Sequence, residues 1–280
     1  MRWVIAPRFN IMQNITEHLT QRFSYGLGYR APLTFFESGH GNEENGYEVG
    51  ITELEKAHSF VYSLSYNTPK GYITGGAHYT HLKNMAYGFE KFNSPISYRN
   101  SEDDYDIFVS DIIIGYKPNE DLLLELTGEI FNYQGGYKRR LPTAAIEQRL
   151  SLKSSYTKGN WNHIFTAQFV PGRDLSGYGR YSDHYRTRNQ GSEPLLDASL
   201  IKKRQESPSF FLFDTHFTYK LNENLKMNFS IQNILDYTQT SDGDSPATWH
   251  WHFNHAHYDG LHTWGPNAGR QLALGFEYIF

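Results

Sequence analysis

The chain has 280 residues, a formal charge near −4 with histidine neutral, and no cysteine. Disulfides, thiolate catalysis and cysteine-ligated zinc are therefore excluded, and the charge points to no polyanion partner such as nucleic acid. Mean hydropathy is −0.62, yet tyrosine (21) and phenylalanine (19) are abundant. No apolar run reaches the roughly eighteen residues of a transmembrane helix. The opening MRWVIAPRFNIMQN has neither the apolar region nor the small-residue cleavage site of a secretory signal.

Taken in chain order, apolar residues recur with period two. Phe9 and Ile11 lead, then Leu19, Phe23, Tyr25 and Leu27. Phe60, Leu64 and Tyr66 follow, with parity open between Val61 and Tyr62. Ile73 to Tyr79 comes next, then an apolar run from Ile107 to Tyr116 broken by Asp111. Leu122, Leu124, Leu126 and Ile130 alternate with Glu125, Thr127 and Glu129. Leu150 and Leu152 alternate with Arg149, Ser151 and Lys153, and Phe165, Ala167 and Phe169 with Thr166 and Gln168. Phe211, Phe213, Phe217 and Tyr219 alternate with Asp214, His216 and Lys220. Leu225, Met227, Phe229 and Ile231 alternate with Lys226, Asn228, Ser230 and Gln232. The terminal QLALGFEYIF places Leu272, Leu274, Phe276, Tyr278 and Phe280 on one parity.

This predicts about eleven strands of roughly 10–13 residues, near twice the average strand and matched to a tilted crossing of a bilayer. Short polar connections (MQNITEH, NTPKG, KPNED, TKGN, LNEN) alternate with long ones at 29–58, 83–104, 132–146, 171–208 and 237–268. Tight turns at one end and large loops at the other are the asymmetry of an outer-membrane barrel, whereas a soluble β-sandwich spaces its turns evenly. The expected fold is all-β: a transmembrane antiparallel β-barrel portion spanning 1–280, whose alternate residues meet lipid. Leu225, Met227, Phe229, Leu272, Leu274 and Phe276 are expected to face lipid, and Lys226, Asn228, Gln232 and Glu277 the lumen.

The last long connection carries TWHWHFNHAHYDGLHTW, with His250, His252, His255, His257 and His262 among Trp249, Trp251, Tyr258 and Trp264. Neutral imidazole is the commonest metal ligand, and flat rings suit a planar chelate. A loop that packs on its neighbours would use the same residues as hydrogen-bond formers, so both readings stay open. His78 and His81 read as polar contacts at a loop base. SEDDYD, Ser101 to Asp106, reads as a solvated loop end rather than a calcium site. No nucleophile elbow and no phosphate-binding glycine loop is present.

Three stretches resemble motifs of TonB-dependent outer-membrane receptors. APRFNIMQNITEHLTQRFSYGLGYRAP contains a YRAP box, Tyr29, Arg30, Ala31 and Pro32. QNILDY is similar to the family's NLFDxxY, with Asn233, Asp236 and Tyr237. GRQLALGFEYIF resembles its last strand, ending at Phe280. The resemblance covers about the whole chain. It implies a 22-stranded barrel with an N-terminal plug, driven by TonB, in the cell outer membrane of a Gram-negative bacterium. About eleven strands are half of that barrel. With no plug and no TonB box ahead of Met1, the chain reads as the C-terminal half of such a receptor. If the gene is split, a partner chain supplies the plug and the N-terminal half-barrel, and TonB acts only through that part. The edge strands, near Trp3–Ile11 and Leu272–Phe280, would then need partners, because unpaired backbone groups in lipid are costly.

The resemblance further implies uptake of a metal chelate of the haem, siderophore or cobalamin class, with no resident cofactor: haem or chelate is cargo. In haem receptors of the family a histidine following a FRAP-like box ligates the iron, which singles out His40; GNEENGYEV stands where an NPNL-like box is expected. The alternatives are a surface ligand-binding or adhesin barrel without transport and, last, an outer-membrane hydrolase.

Overall fold

The structure is a computed structural model describing residues 4–31, 47–89, 96–141, 143–178, 205–243, 247–252, 255–261 and 263–279. Its strands are β1 (Arg8–Asn14), β2 (Leu19–Arg30), β3 (Tyr47–Gly50), β4 (Glu55–Thr68), β5 (Gly71–Lys83), β6 (Ala86–Phe89), β7 (Ile96–Asn100), β8 (Tyr105–Asn119), β9 (Leu122–Tyr133), β10 (Gln148–Lys158), β11 (Trp161–Val170), β12 (Phe210–Lys220), β13 (Leu225–Gln232), β14 (Ala247–His252), β15 (His255–Leu261) and β16 (Gln271–Tyr278). Eleven form one sheet in the order β1-β2-β4-β5-β8-β9-β10-β11-β12-β13-β16. The residue-by-residue pairings within it run antiparallel. Among the described residues the only helical turns are 3-10, at Tyr137–Arg140 and Gln239–Asp242, and no helix is long and apolar enough to cross a membrane.

The connections alternate as the sequence predicts. Turns at 15–18, 69–70, 120–121, 159–160 and 221–224 are short, and the segments between β2 and β4, β5 and β8, β9 and β10, β11 and β12, and β13 and β16 are long. Two differences stand out. The first strand begins at Arg8 rather than near Trp3. Pro7 has no N–H to donate to a ladder, and its carbonyl accepts the last bond, from Leu27 at 3.0 Å. The long connections also hold strands of their own: β3, β7 and β6 form a small sheet with β3 and β7 parallel, and β14 pairs with β15 as a hairpin.

Two compact units divide the described residues: those within 1–65, 75–110 and 131–140, and those within 66–74, 111–130 and 141–280. In the second unit the register stacks Met227 beside Phe276, Phe229 beside Leu274 and Ile231 beside Leu272. On the opposite parity Lys226 meets Glu277 at 3.1 Å, and Asn228 pairs with Gly275. The two chemistries thus separate onto opposite parities of this strand pair. The apolar side is not a core: Leu272 is 67% exposed, Leu274 64% and Phe276 65%. Contiguous exposed apolar area on this scale needs an apolar solvent. The polar side is knitted by charge: Arg149 Nε lies 2.6 Å from Glu129, and Lys153 Nζ 2.9 Å from Glu125. Tyr72 also donates to Glu125, and its ring covers Gly115, leaving no room for a Cβ there.

In the first unit the parity left open in the sequence is resolved. Phe60, Tyr62 and Leu64 are exposed, as are Phe23 on β2 and Phe108 on β8, so the even positions of β4 share the apolar face.

Candidate ligand-binding mouth

The long-connection end of each unit is held by a different device. In the first unit the base is polar. Glu55 is buried and receives both Arg30 Nε and Nη2, while its Oε1 also accepts the Ala86 backbone N–H at 2.8 Å. Asn100 ties the segment further: its Oδ1 accepts the N–H groups of Thr52 and Glu53 at 3.0 Å, and its Nδ2 donates to the carbonyls of Glu53 and Asn84. Tyr137 packs at a tilt between Tyr105 and Tyr133, with centroids 5.7 and 6.0 Å away. Burial pushes its phenol above the ordinary range; Arg30 opposes that shift and Glu55 adds to it.

In the second unit the base is apolar. Ala144, Val170, Leu175, Tyr178, Phe210 and Trp264 form a buried cluster. Its enclosed polar side chains reach backbone groups: Arg173 Nη2 donates to the carbonyls of Ala144 (2.8 Å) and Trp264 (2.7 Å). Buried Gln239 accepts the Trp264 N–H at 2.9 Å. Three long connections, 134–147, 171–209 and 233–270, are joined in this cluster.

The QNILDY and GR motifs prove to be halves of one lock. Asn233 and Asp236 adopt left-handed backbone (φ 51° and 59°), a conformation Asn and Asp tolerate best among residues with a Cβ. Asn233 Nδ2 donates to Tyr237 O, Asp236 Oδ1 accepts the Arg270 N–H at 2.6 Å, and Arg270 Nε donates to Ile234 O. A Cβ on Gly269 would stand 2.5 Å from Asp236 Oδ1, so glycine is required there. Asn233 N–H also donates to Asp214, ending the β13 ladder and starting the connection.

That connection carries the β14–β15 hairpin. Its register makes His250 and His257 Cα partners, and likewise His252 and His255; Trp251 pairs with Ala256 and Trp249 with Tyr258. Residues two apart on a strand share a face, and so do cross-strand partners. The four histidine positions therefore fall on one face of the hairpin. His40, Pro32, His262 and Phe280 lie outside the described residues. Tyr29, Arg30 and Ala31 stand at the end of β2, where the largely exposed Arg30 side chain pairs with buried Glu55. His81 is a loop-base contact as expected, 2.8 Å from Asp106, so SEDDYD ends in side chains that pair with the strand beside it. Among the described residues no group of three or more His, Asp or Glu side chains is arranged to hold a metal. Sequence reasoning missed Glu55, Asn100, Arg173 and Gln239. Only a polar residue adjoining a predicted long connection hints at any of them.

Long antiparallel strands with one face greasy and exposed, the other charged, and loops gathered at one end define the wall of an outer-membrane β-barrel. The family described as TonB dependent receptor-like, beta-barrel matches residues 2–234. This chain belongs to that family, whose members are transport receptors of the Gram-negative outer membrane and not enzymes. Among solved structures it is similar to the FrpB iron transporter from Neisseria meningitidis (13% identity, TM-score 0.62) and to the copper transporter OprC (13%, 0.59), covering 98% of this chain and 39% of each of those. It is also similar to the siderophore receptor PirA from Pseudomonas aeruginosa (9%, TM-score 0.57), over 98% of this chain and 40% of that one. The chain thus spans about two fifths of the length of the structures it matches. No curated protein matches it.

Proposed function

We infer that this chain forms wall and outer mouth of a receptor that takes up a metal chelate of the haem, siderophore or cobalamin class. TonB energises it once a plug and further strands complete the barrel. The whole of 1–280 acts as one barrel portion. Its β1 and β16 edges pair with strands of the remaining receptor, whether on the same polypeptide or on another, because backbone groups facing lipid need partners. The related structures named for iron, copper and siderophore transport support the cargo class.

The observation that carries the ligand reading is the hairpin register, His250 with His257 and His252 with His255. Four histidine positions on one face of the hairpin suit a metal that takes imidazole ligands, while the tryptophan and tyrosine positions fall on the opposite face. The test uses the complete receptor with His250, His252, His255 and His257 replaced together by Ala. Capture of haem and of ferric chelates should fall about tenfold or more at unchanged expression, since losing even a group that supports a metal ligand costs about ten- to a hundredfold. Unchanged capture at full expression would show that these histidines only pack the loop. Capture without accumulation in the cell would favour a surface-binding barrel over a transporter.

A further inference from the structure

The β14–β15 hairpin stands on feet that are tied together. Gln239 N–H donates to Pro266 O at 2.8 Å, and Gln239 Oε1 accepts the N–H groups of Trp264 (2.9 Å) and Gly265 (3.2 Å). Between those feet the strands run antiparallel, with His250 opposite His257 and His252 opposite His255. Directly opposed residues have Cβ atoms about 4.5–5.5 Å apart. Residues two apart on one strand are separated by about 6.4–6.8 Å. The four positions therefore mark the corners of a rectangle on one face, about 5 by 7 Å. Four rings rising from such corners can converge on one ion at the roughly 2.0–2.1 Å of a metal–imidazole bond.

Counting coordination positions separates the cargoes such a face can take. A ferric siderophore complex brings its own oxygen donors and leaves the iron no open position. A metal in a flat macrocycle has its in-plane positions filled and offers at most two more, on opposite sides of the plane. Four imidazoles presented from one side exceed what either can accept. The rings suited to stacking on a flat frame, at Trp249, Trp251 and Tyr258, stand on the other parity. An ion that arrives with open positions uses all four histidines. No thiolate competes, because the chain has no cysteine. Neutral imidazoles suit borderline divalent ions, and among those of the first transition row affinity peaks at copper(II).

We propose that the histidine face of the hairpin binds one divalent transition-metal ion directly, through His250, His252, His255 and His257, and holds copper(II) most tightly. The backbone register supplies the positions, and the ion gathers the rings. Because the strands are already paired and their feet tied, little ordering of the chain is left for the ion to impose. The proposal rests on the reading that these histidines meet metal. It adds that the metal needs no organic frame.

The test dialyses the complete receptor in detergent against copper(II), zinc(II) and haem in turn and counts the metal bound per receptor. Copper(II) should bind once, more tightly than zinc(II), with an electron paramagnetic resonance spectrum split by four nitrogen nuclei. Replacing all four histidines by Ala should weaken copper(II) binding about tenfold or more. His252→Ala with His255→Ala removes one opposed pair and should leave a spectrum of two nitrogens. Trp251→Phe, on the other face, should change nothing. Copper(II) held as tightly by the fourfold variant overturns the proposal. Haem capture that depends on the four histidines in a receptor that binds neither copper(II) nor zinc(II) overturns it too, and leaves the metal-chelate reading standing. If the fourfold variant loses neither ion nor haem, both readings fall. Should a histidine variant fail to assemble, the unaltered receptor decides: its copper spectrum must show four nitrogens, and fewer overturns the site.

Discussion

The two loop bases solve one problem with opposite materials. In the first unit Arg30, Glu55 and Asn100 hold the chain ends by hydrogen bonds to named atoms. In the second, Val170, Phe210, Trp264 and Tyr178 hold them by packing, with Arg173 and Gln239 closing the polar remainder. A polar base specifies geometry because each bond has a direction, but its net contribution per bond is small. An apolar base contributes through area and volume, and fails by leaving a cavity. The hairpin with the histidines is carried by the connection rooted in the apolar base.

The comparison breaks first at Phe210. Phe210→Ala should destabilise the second base by about 3–5 kcal/mol, read as faster amide exchange at Ala144 and Gln239, whose N–H groups donate to the carbonyls of Thr263 and Pro266. Exchange as slow as in the parent would show that the cluster is not what holds these connections. The wall repeats the contrast on a single strand: Phe229→Arg should cost about 2–4 kcal/mol, and Asn228→Arg, on the lumen side, far less. Denaturation of the refolded receptor in lipid measures both, and equal costs would contradict the facing. In the polar base, Arg30→Ala leaves the buried Glu55 carboxylate short of its partner. With the guanidinium largely exposed, the loss should be near the low end of about 1.5–3 kcal/mol for bonds to charged groups. Exchange at the Ala86 amide reports it, and a loss matching that of Phe210→Ala would erase the distinction between the bases. The smallest effects separate two glycines of one region. Gly269→Ala must push a Cβ against Asp236, costing about 1–3 kcal/mol as overpacking does. Gly275→Ala meets nothing within 4 Å and should change the same denaturation midpoint little.

How much of this was legible in the sequence differs from element to element. Strand parity in β9 to β13 and β16 could be read directly, since lipid on one side and water on the other force every second residue to one chemistry. In β4, Val61 and Tyr62 are adjacent and both apolar, and the pattern alone left the face open. The motif pair QNILDY and GR was visible as two separate matches; its meaning as one lock needed Asp236 and Arg270 brought together across 34 positions of chain.

By itself the sequence determined the class: long alternating strands, short turns at one end and large loops at the other, and a solvent for the greasy face that is not water. It determined these because they are local, set by a period of two and by turn chemistry within a few residues. Only the tertiary structure decided that Arg30 serves Glu55, that Phe210 and Trp264 share a core, that the four hairpin histidines pair in register, and that His81 joins Asp104 and Asp106. Those facts depend on contacts between residues far apart in the chain, and no local preference encodes which distant partner closes them.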